Sequence, residues 1–346
     1  MNTFKFIGNI IEPKNDFVRK TSSGRKVMKL IIKQNENNSA FVQIAADDVK
    51  NDGIYVFLKD DKTKRYKVPY ERRLEDIVLN KVSYGSKYII NLLGSQYKDE
   101  EFICKDDFIN YIYQNKDKLL ENNTYEVKGE YLIKEYNGKF YNNFNVKSIR
   151  LLNNARHEFT MSLDLFYNNE SLDETDKRNK FILNAYISQY SFQKKDNVFY
   201  PLQTMFVTNR FDFKNPTDIE VIKHRKANLN PPKEIGFVKA TWEAQYVKGA
   251  QVILPPLETL PKDIQFEIKN AGRDIREYTS KIITDAKEVI CLTRPNNTLS
   301  KNGEVYKKVE LTENEFKSKI YSNDFDEEQT IDKIAIEDVL KNPFNK

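Results

Sequence analysis

The sequence predicts a mainly β protein with a few helices (α+β), built as two small β-barrels and an acidic tail. Three observations lead there. Residues 123–152 are two period-2 runs joined by Tyr136-Asn137-Gly138-Lys139, and Asn-Gly between alternating apolar runs is the strongest short-range hairpin signal. Three alternating runs and one helical run precede this hairpin. After His157, further strands recur between turn signals, as in barrels and sandwiches.

In order, residues 3–11 alternate with Phe4, Phe6, Gly8 and Ile10 on one side, and Gly8 marks a bulge or a close backbone approach. A polar loop through Pro13 and Asp16 follows. The run KVMKLIIK then sets Met28, Leu30 and Ile32 on a core face, with Lys29 and Lys33 on the other. In SAFVQIAA, Val42 and Ile44 point inward while Phe41 and Gln43 point outward. Residues 47–104 read as an insertion, with a hairpin turning near Asp60-Asp61-Lys62 and a strand KYIINLL. The run KDDFINYIYQNKDKLLE has Phe108, Ile109, Ile112, Leu119 and Leu120 at helical spacing. Asp106 and Asp107 stand at its start, where the helix dipole favours acids.

Three strands, a helix and a final hairpin is the order of the oligonucleotide-binding (OB) fold. Its strand 2–3 face, and its loops between strands 1 and 2 and strands 4 and 5, take up single strands. Phe6-Ile7-Gly8-Asn9-Ile10, then Pro13, then Ser23-Gly24 leading into the Val27–Ile32 strand, resembles the N-terminus of bacterial single-stranded DNA-binding proteins. Val127-Lys128-Gly129 and the Asn137-Gly138-Lys139 turn are similar to that family's last hairpin. The resemblance covers roughly residues 1–152, interrupted by the insertion. It implies an OB barrel over residues 1–154 that binds single-stranded DNA.

Residues 155–320 read as a second, OB-like barrel. HEFTMSLDLFY is a strand, and FILNAYISQYSF pairs with VFYPLQTMFVTNRFDF. IEVIKHRKANL and IGFVKATWEAQYVKG are two more strands, with Trp242 in the core. A long helix is expected at about 263–290, and a short strand region around 304–311 is expected to close this domain. Residues 321–346 form an acidic, flexible tail of net charge −4, against +9 for the rest of the chain. The family's tails are acidic and end in a Pro-Phe tip that docks on replication partners. Here Asp324, Asp326, Glu327, Glu328, Glu337 and Asp338 precede Pro343-Phe344, and two residues follow the Phe. By that resemblance the tail's partners are replication or recombination proteins.

Binding a single strand needs cations for phosphates and aromatic faces for unstacked bases. Arg19, Lys20, Arg25 and Lys26 cluster in the first loop, and Lys29, Lys33 and Phe41 lie on the outward strand face. Lys134, Tyr136, Lys139, Phe140 and Tyr141 sit at the hairpin tip. In the second barrel the candidates are Tyr186, Tyr190, Arg210, Lys223 and Arg225. Lysines on surfaces and aromatics in strands are also ordinary packing residues.

Two Cys and two His exclude clustered zinc spacings and a dense disulfide framework, so neither a metal nor another cofactor is expected. The chain has no leader-like h-region and no apolar run of bilayer length, which points to a cytoplasmic protein of a bacterial host with no membrane partner. Walker, G-x-S-x-G and HExxH motifs are absent. Glu126-Val127-Lys128 and Glu267-Ile268-Lys269 leave a metal-dependent nuclease as a minor alternative, behind a protein-binding assembly module. The leading expectation is a non-enzymatic, sequence-tolerant binder of single-stranded DNA, with RNA as an alternative strand, acting in replication or recombination of a phage or mobile element.

Overall fold

The computed structural model describes residues 2–14, 16–22, 24–46, 53–174, 180–191, 194–207, 215–248, 262–271, 288–296 and 304–321. These divide into two compact units. One contains Thr3–Gln34 and Ala40–Glu158; the other contains Asn35–Ser39 and Phe159–Tyr321.

The first unit begins with β1 (Thr3–Ile11), a short β2 (Val18–Lys20), β3 (Lys26–Lys33) and β4 (Ser39–Ala46). Its closing hairpin is β9 (Thr124–Tyr136) and β10 (Lys139–Leu152). β1 pairs antiparallel with β3 and with β9, β9 pairs antiparallel with β10, β10 runs parallel to β4, and β4 neighbours β3. The five long strands therefore close on themselves in the Greek-key order of an OB barrel. Alternation fills the interior: Phe4, Phe6, Met28, Leu30, Ile32, Val42, Ile44, Val127, Tyr131 and Phe144 are buried. Phe4, Phe6 and Phe144 meet with ring centroids 4.7 to 5.3 Å apart, and Tyr131 donates its hydroxyl hydrogen to Asn142 Oδ1 at 2.6 Å. Burial of one such ring contributes roughly 1.5–3 kcal/mol.

Gly8 is a close approach and not a bulge: its pairing with β9 is uninterrupted, and a Cβ there would stand 2.4 Å from the Lys33 carbonyl oxygen. The hairpin turns at Asn137 (φ 52°) and Gly138 (φ 73°), the two consecutive left-handed residues that match the twist of the flanking strands. One irregularity interrupts its ladder, between Val146 and Ser148.

Between β4 and β9 the chain forms β5 (Ile54–Val56) and β6 (Tyr66–Val68), the hairpin expected there, then α1 (Asp76–Lys81), β7 (Tyr88–Asn91) and β8 (Glu100–Phe102). Ile54, Val56, Val68, Val78, Val82, Ile103 and Cys104 make a separate small core. β7 lies parallel to β10 through Ile89–Asn91, so the sheet extends beyond the barrel ring. The expected helix is two: α2 (Lys105–Gln114) and α3 (Lys116–Leu120). Asn115 leaves helical geometry (φ −105°, ψ 23°) and its side-chain amide donates to the Tyr111 carbonyl at 2.9 Å, a local bond that competes with the helix ladder.

The second unit repeats the ring. Its strands are β11 (Glu158–Tyr167), β12 (Leu172–Asp173), β13 (Lys180–Ser191), β14 (Asp196–Val207), β15 (Val238–Lys248), β16 (Glu288–Pro295) and β17 (Lys307–Lys308). β11 pairs antiparallel with β13 and β15, β13 with β14, and β15 with β16, while β14 and β16 are parallel. This is the same closed five-strand order as in the first unit. Trp242 is fully buried.

Three expectations are corrected here. IEVIKHRKANL is not a strand but most of α4 (Pro216–Leu229), because Asn215 caps it, accepting from Thr217 N, with Pro216 in the first turn. Of the expected 263–290 helix, α5 (Lys262–Ala271) is seen, residues 272–287 lie outside the described residues, and residues 288–290 belong to β16, whose Val289 and Ile290 face a strand partner in β15. Closure comes from β16; the short β17 only extends β15 at Val238–Lys239. α6 (Glu313–Ser318) ends the described chain, with a capping box of Thr312 and Glu315.

Candidate nucleic-acid interface

On β3 the inward Met28, Leu30 and Ile32 force Lys29, Ile31 and Lys33 to the outside. On β4 the inward Val42 and Ile44 put Phe41 and Gln43 outside, Phe41 with 49 % of its surface exposed. β10 continues this surface. Asn145 pairs with Gln43, and the Gln43 side-chain amide donates to Asn143 Oδ1, whose own amide donates to Asn145 Oδ1 at 3.1 Å. Tyr141 is two residues further up the same side of β10 and leads to the hairpin tip. There Tyr141 pairs across from Lys134 and Lys139 from Tyr136.

The outward face is thus continuous from Lys29 and Lys33 across Phe41 and Gln43 to Tyr141. Tyr136, Phe140 and Tyr141 are 68 %, 41 % and 49 % exposed. Large aromatics left in water at the end of a long two-stranded ribbon add nothing to a core. Lys29, Lys33, Lys139, Arg19 and Lys20 make no ion pair among the described residues, so no described carboxylate neutralises their charge. Asn143 and Asn145 were missed at the level of the sequence, and Gln43, read there as outward, was not counted among the binding residues. Alternation on β10 around buried Phe144 and Val146 is the signal that places the two Asn on the outer side, where Asn145 is half-buried and Asn143 is buried beneath its neighbours.

Lys26 does not belong to this set. Its ammonium bridges Asp106 Oδ1 at 2.5 Å and Asn110 Oδ1 at 2.8 Å, so it ties β3 to α2. Arg25 is half-buried at the start of β3, and its amide closes the β2–β3 turn by donating to Thr21 Oγ1. Lys147, on the outward side of β10, sits over the Tyr88 ring at 4.6 Å and near Glu130.

In the second unit the candidates disperse. Tyr186 stands edge-on to Phe237 and Phe316, with centroids 6.2 and 5.5 Å apart, so its ring is part of a packed cluster. Tyr190 is exposed near the β13–β14 turn. Lys223 and Arg225 lie on α4 and not on a strand. Arg210 and the tail residues Asp324, Asp326, Glu327, Glu328, Glu337, Asp338, Pro343 and Phe344 lie outside the described residues. Among the described residues no three His, Cys, Asp or Glu side chains converge to hold a metal ion.

No protein-family model matches the chain, and no curated protein matches it in sequence. Among solved structures, the chain is similar to the single-stranded DNA binding protein from Thermus aquaticus. The match has 8 % identity and a TM-score of 0.30, over 71 % of this chain and 85 % of that one. So loose a superposition transfers no residue roles.

Proposed function

We propose that the chain binds single-stranded DNA without strong sequence preference, through the outward β3–β4–β10 face and the hairpin tip of the first barrel. The observation that carries this is the continuity of that face: Lys29 and Lys33, without an ion pair among the described residues, at one end, exposed Phe41 in the middle, and exposed Tyr136 and Tyr141 at the other, with Phe140 exposed on the opposite side of the hairpin tip. The lysines supply phosphate contacts, the rings supply platforms for unstacked bases at about 1–3 kcal/mol each, and half-buried Gln43 and Asn145, braced by buried Asn143, offer amide groups between them. A duplex, with its bases stacked inside, gains little from the rings.

The role proposed with it is a non-catalytic coat on exposed strands during replication or recombination of a phage or mobile element. The acidic stretch after residue 321 recruits partner proteins or competes with phosphate for the basic face. Titration of fluorescent oligo-dT and of a duplex at several salt concentrations tests it. The expected result is tight dT binding that weakens with salt and much weaker duplex binding. Equal affinity for both, or none for either, defeats the proposal.

A further inference from the structure

In the second barrel, the strands in the ring positions of β3 and β4 are β13 and β14, and the outward face of these strands is not open. Outward Phe199 on β14 and Tyr186 on β13, with Phe166 on β11, form a cluster with Phe237. Into it comes Phe316 of α6. Its ring stacks on Phe237 at 3.8 Å between centroids and 13° between planes, and on Phe199 at 4.1 Å and 25°. Phe316 is fully buried, whereas Thr312, Glu313, Asn314, Glu315, Lys317 and Ser318 around it are exposed. The chain then runs along β14: the Phe199 N–H donates to the Lys319 carbonyl, and the Tyr321 N–H donates to the Phe199 carbonyl, both at 2.9 Å. The Tyr321 ring stacks on Tyr200 at 4.8 Å, and Lys319 bridges Asp196 at 2.7 Å.

We infer that residues 312–321 are a displaceable stopper on the strand face of the second barrel, with Phe316 held in a slot that suits a planar nucleobase. Three features support exchange over a permanent role. The barrel ring closes through β11, β13, β14, β16 and β15 without this segment. The six-residue helix sends one fully buried side chain into the cluster, and Leu311 and Ile320 on either side of it are only partly buried against it. Its other ties are two backbone bonds to one residue, an exposed ion pair and a ring stack, which are contacts that a strand's sugar-phosphate chain and a further base replace in kind. A single strand entering this face and the segment leaving it are then one equilibrium, and the acidic stretch that follows Tyr321 is freed at its root.

This inference rests on the single-strand reading, and hydrogen exchange on the full chain separates the two. With oligo-dT of about 40 nucleotides, longer than two such barrels cover, the amides of Phe316, Lys319, Ile320 and Tyr321 are expected to lose protection while those of β3, β4 and the β9–β10 tip gain it. Phe316→Ala is expected to raise dT affinity, up to roughly tenfold for the stacking removed. Gain of protection on the first barrel with none lost at 316–321 overturns the stopper and leaves the proposed function standing. A folded Phe316→Ala protein with unchanged or lower affinity also overturns it. Absence of dT binding by both proteins overturns both readings. Should the variant fail to fold, exchange in the natural sequence decides alone.

Discussion

Gly129 on β9 lies so close to Asn145 on β10 that a Cβ on the glycine would stand 1.9 Å from the Asn145 carbonyl oxygen and 2.8 Å from the Phe4 ring. The nearest obstacle is backbone, which has no rotamer to escape into. Gly129→Ala is therefore expected to cost about 3 kcal/mol or more, because the hairpin ladder must shift. Gly85, whose Cβ would meet nothing within 4 Å, is the control: Gly85→Ala should stay within about 0.5 kcal/mol. Urea denaturation of the two variants measures the contrast, and equal midpoints would refute it.

Lys29 and Lys26 are three residues apart yet should report different things. Lys29→Ala leaves stability unchanged and lowers the salt dependence of dT binding by about 0.7 in log–log slope, the value for one single-strand phosphate contact. Lys26→Ala breaks the bridge to Asp106, costing up to about 1 kcal/mol of stability, with the salt slope unchanged. Parallel salt titrations and melts check the pair.

At the hairpin tip, Tyr136→Ala, Phe140→Ala and Tyr141→Ala should leave the fold intact, since all three rings are exposed. Any ring that carries a base should lose about 1–3 kcal/mol of dT affinity, roughly five- to 150-fold. Three variants with native affinity would remove the tip from the interface.

The Arg150 guanidinium, donating to Asp99 at 2.8 Å, holds the Asp99 carboxyl below the usual carboxylate range against the opposing effect of burial, helped by the Asn91 amide. A depressed folded-state value means that this stabilisation is complete above the unfolded carboxylate pKa of about 4 and is lost as pH falls through the folded value. Asp99→Asn should therefore cost about 1 kcal/mol at neutral pH, and the gap to the natural protein should shrink below pH 4. Melts across pH 2.5–7, a range bracketing that carboxylate value, test the sign.

Removal of residues 322–346 should leave dT affinity equal or raised, because the net negative stretch no longer competes with phosphate. A clear loss would assign those residues to binding.

Much of the fold was legible because alternation is a local signal. The faces of β1, β3 and β4 and the Asn137-Gly138 turn follow from period two and from one dipeptide. α4 was misread because its helical periodicity is weak and Val221, Ile222 and Ala227 look equally strand-like; the decisive signal was the Asn215-Pro216 start. The site was legible only in part. Lys26 and Lys29 look alike in sequence, and only the position of Asp106 on α2 separates them. Tyr186 obeys alternation, yet its outward side is covered by Phe316, far along the chain.

The closure of the first ring also sets a timetable. Thr3 pairs with Glu130 and Asn9 with Thr124, so β1 is completed by a strand more than a hundred residues later in the same unit. At roughly 5–20 residues per second, β1 waits on the order of 10 s during synthesis, with β3 along one edge and the other edge bare. An unpaired strand edge is a template for pairing with a neighbouring chain. Changes that delay the Asn137-Gly138 turn should thus lower the yield of soluble protein more than they lower the stability of the molecules that do fold.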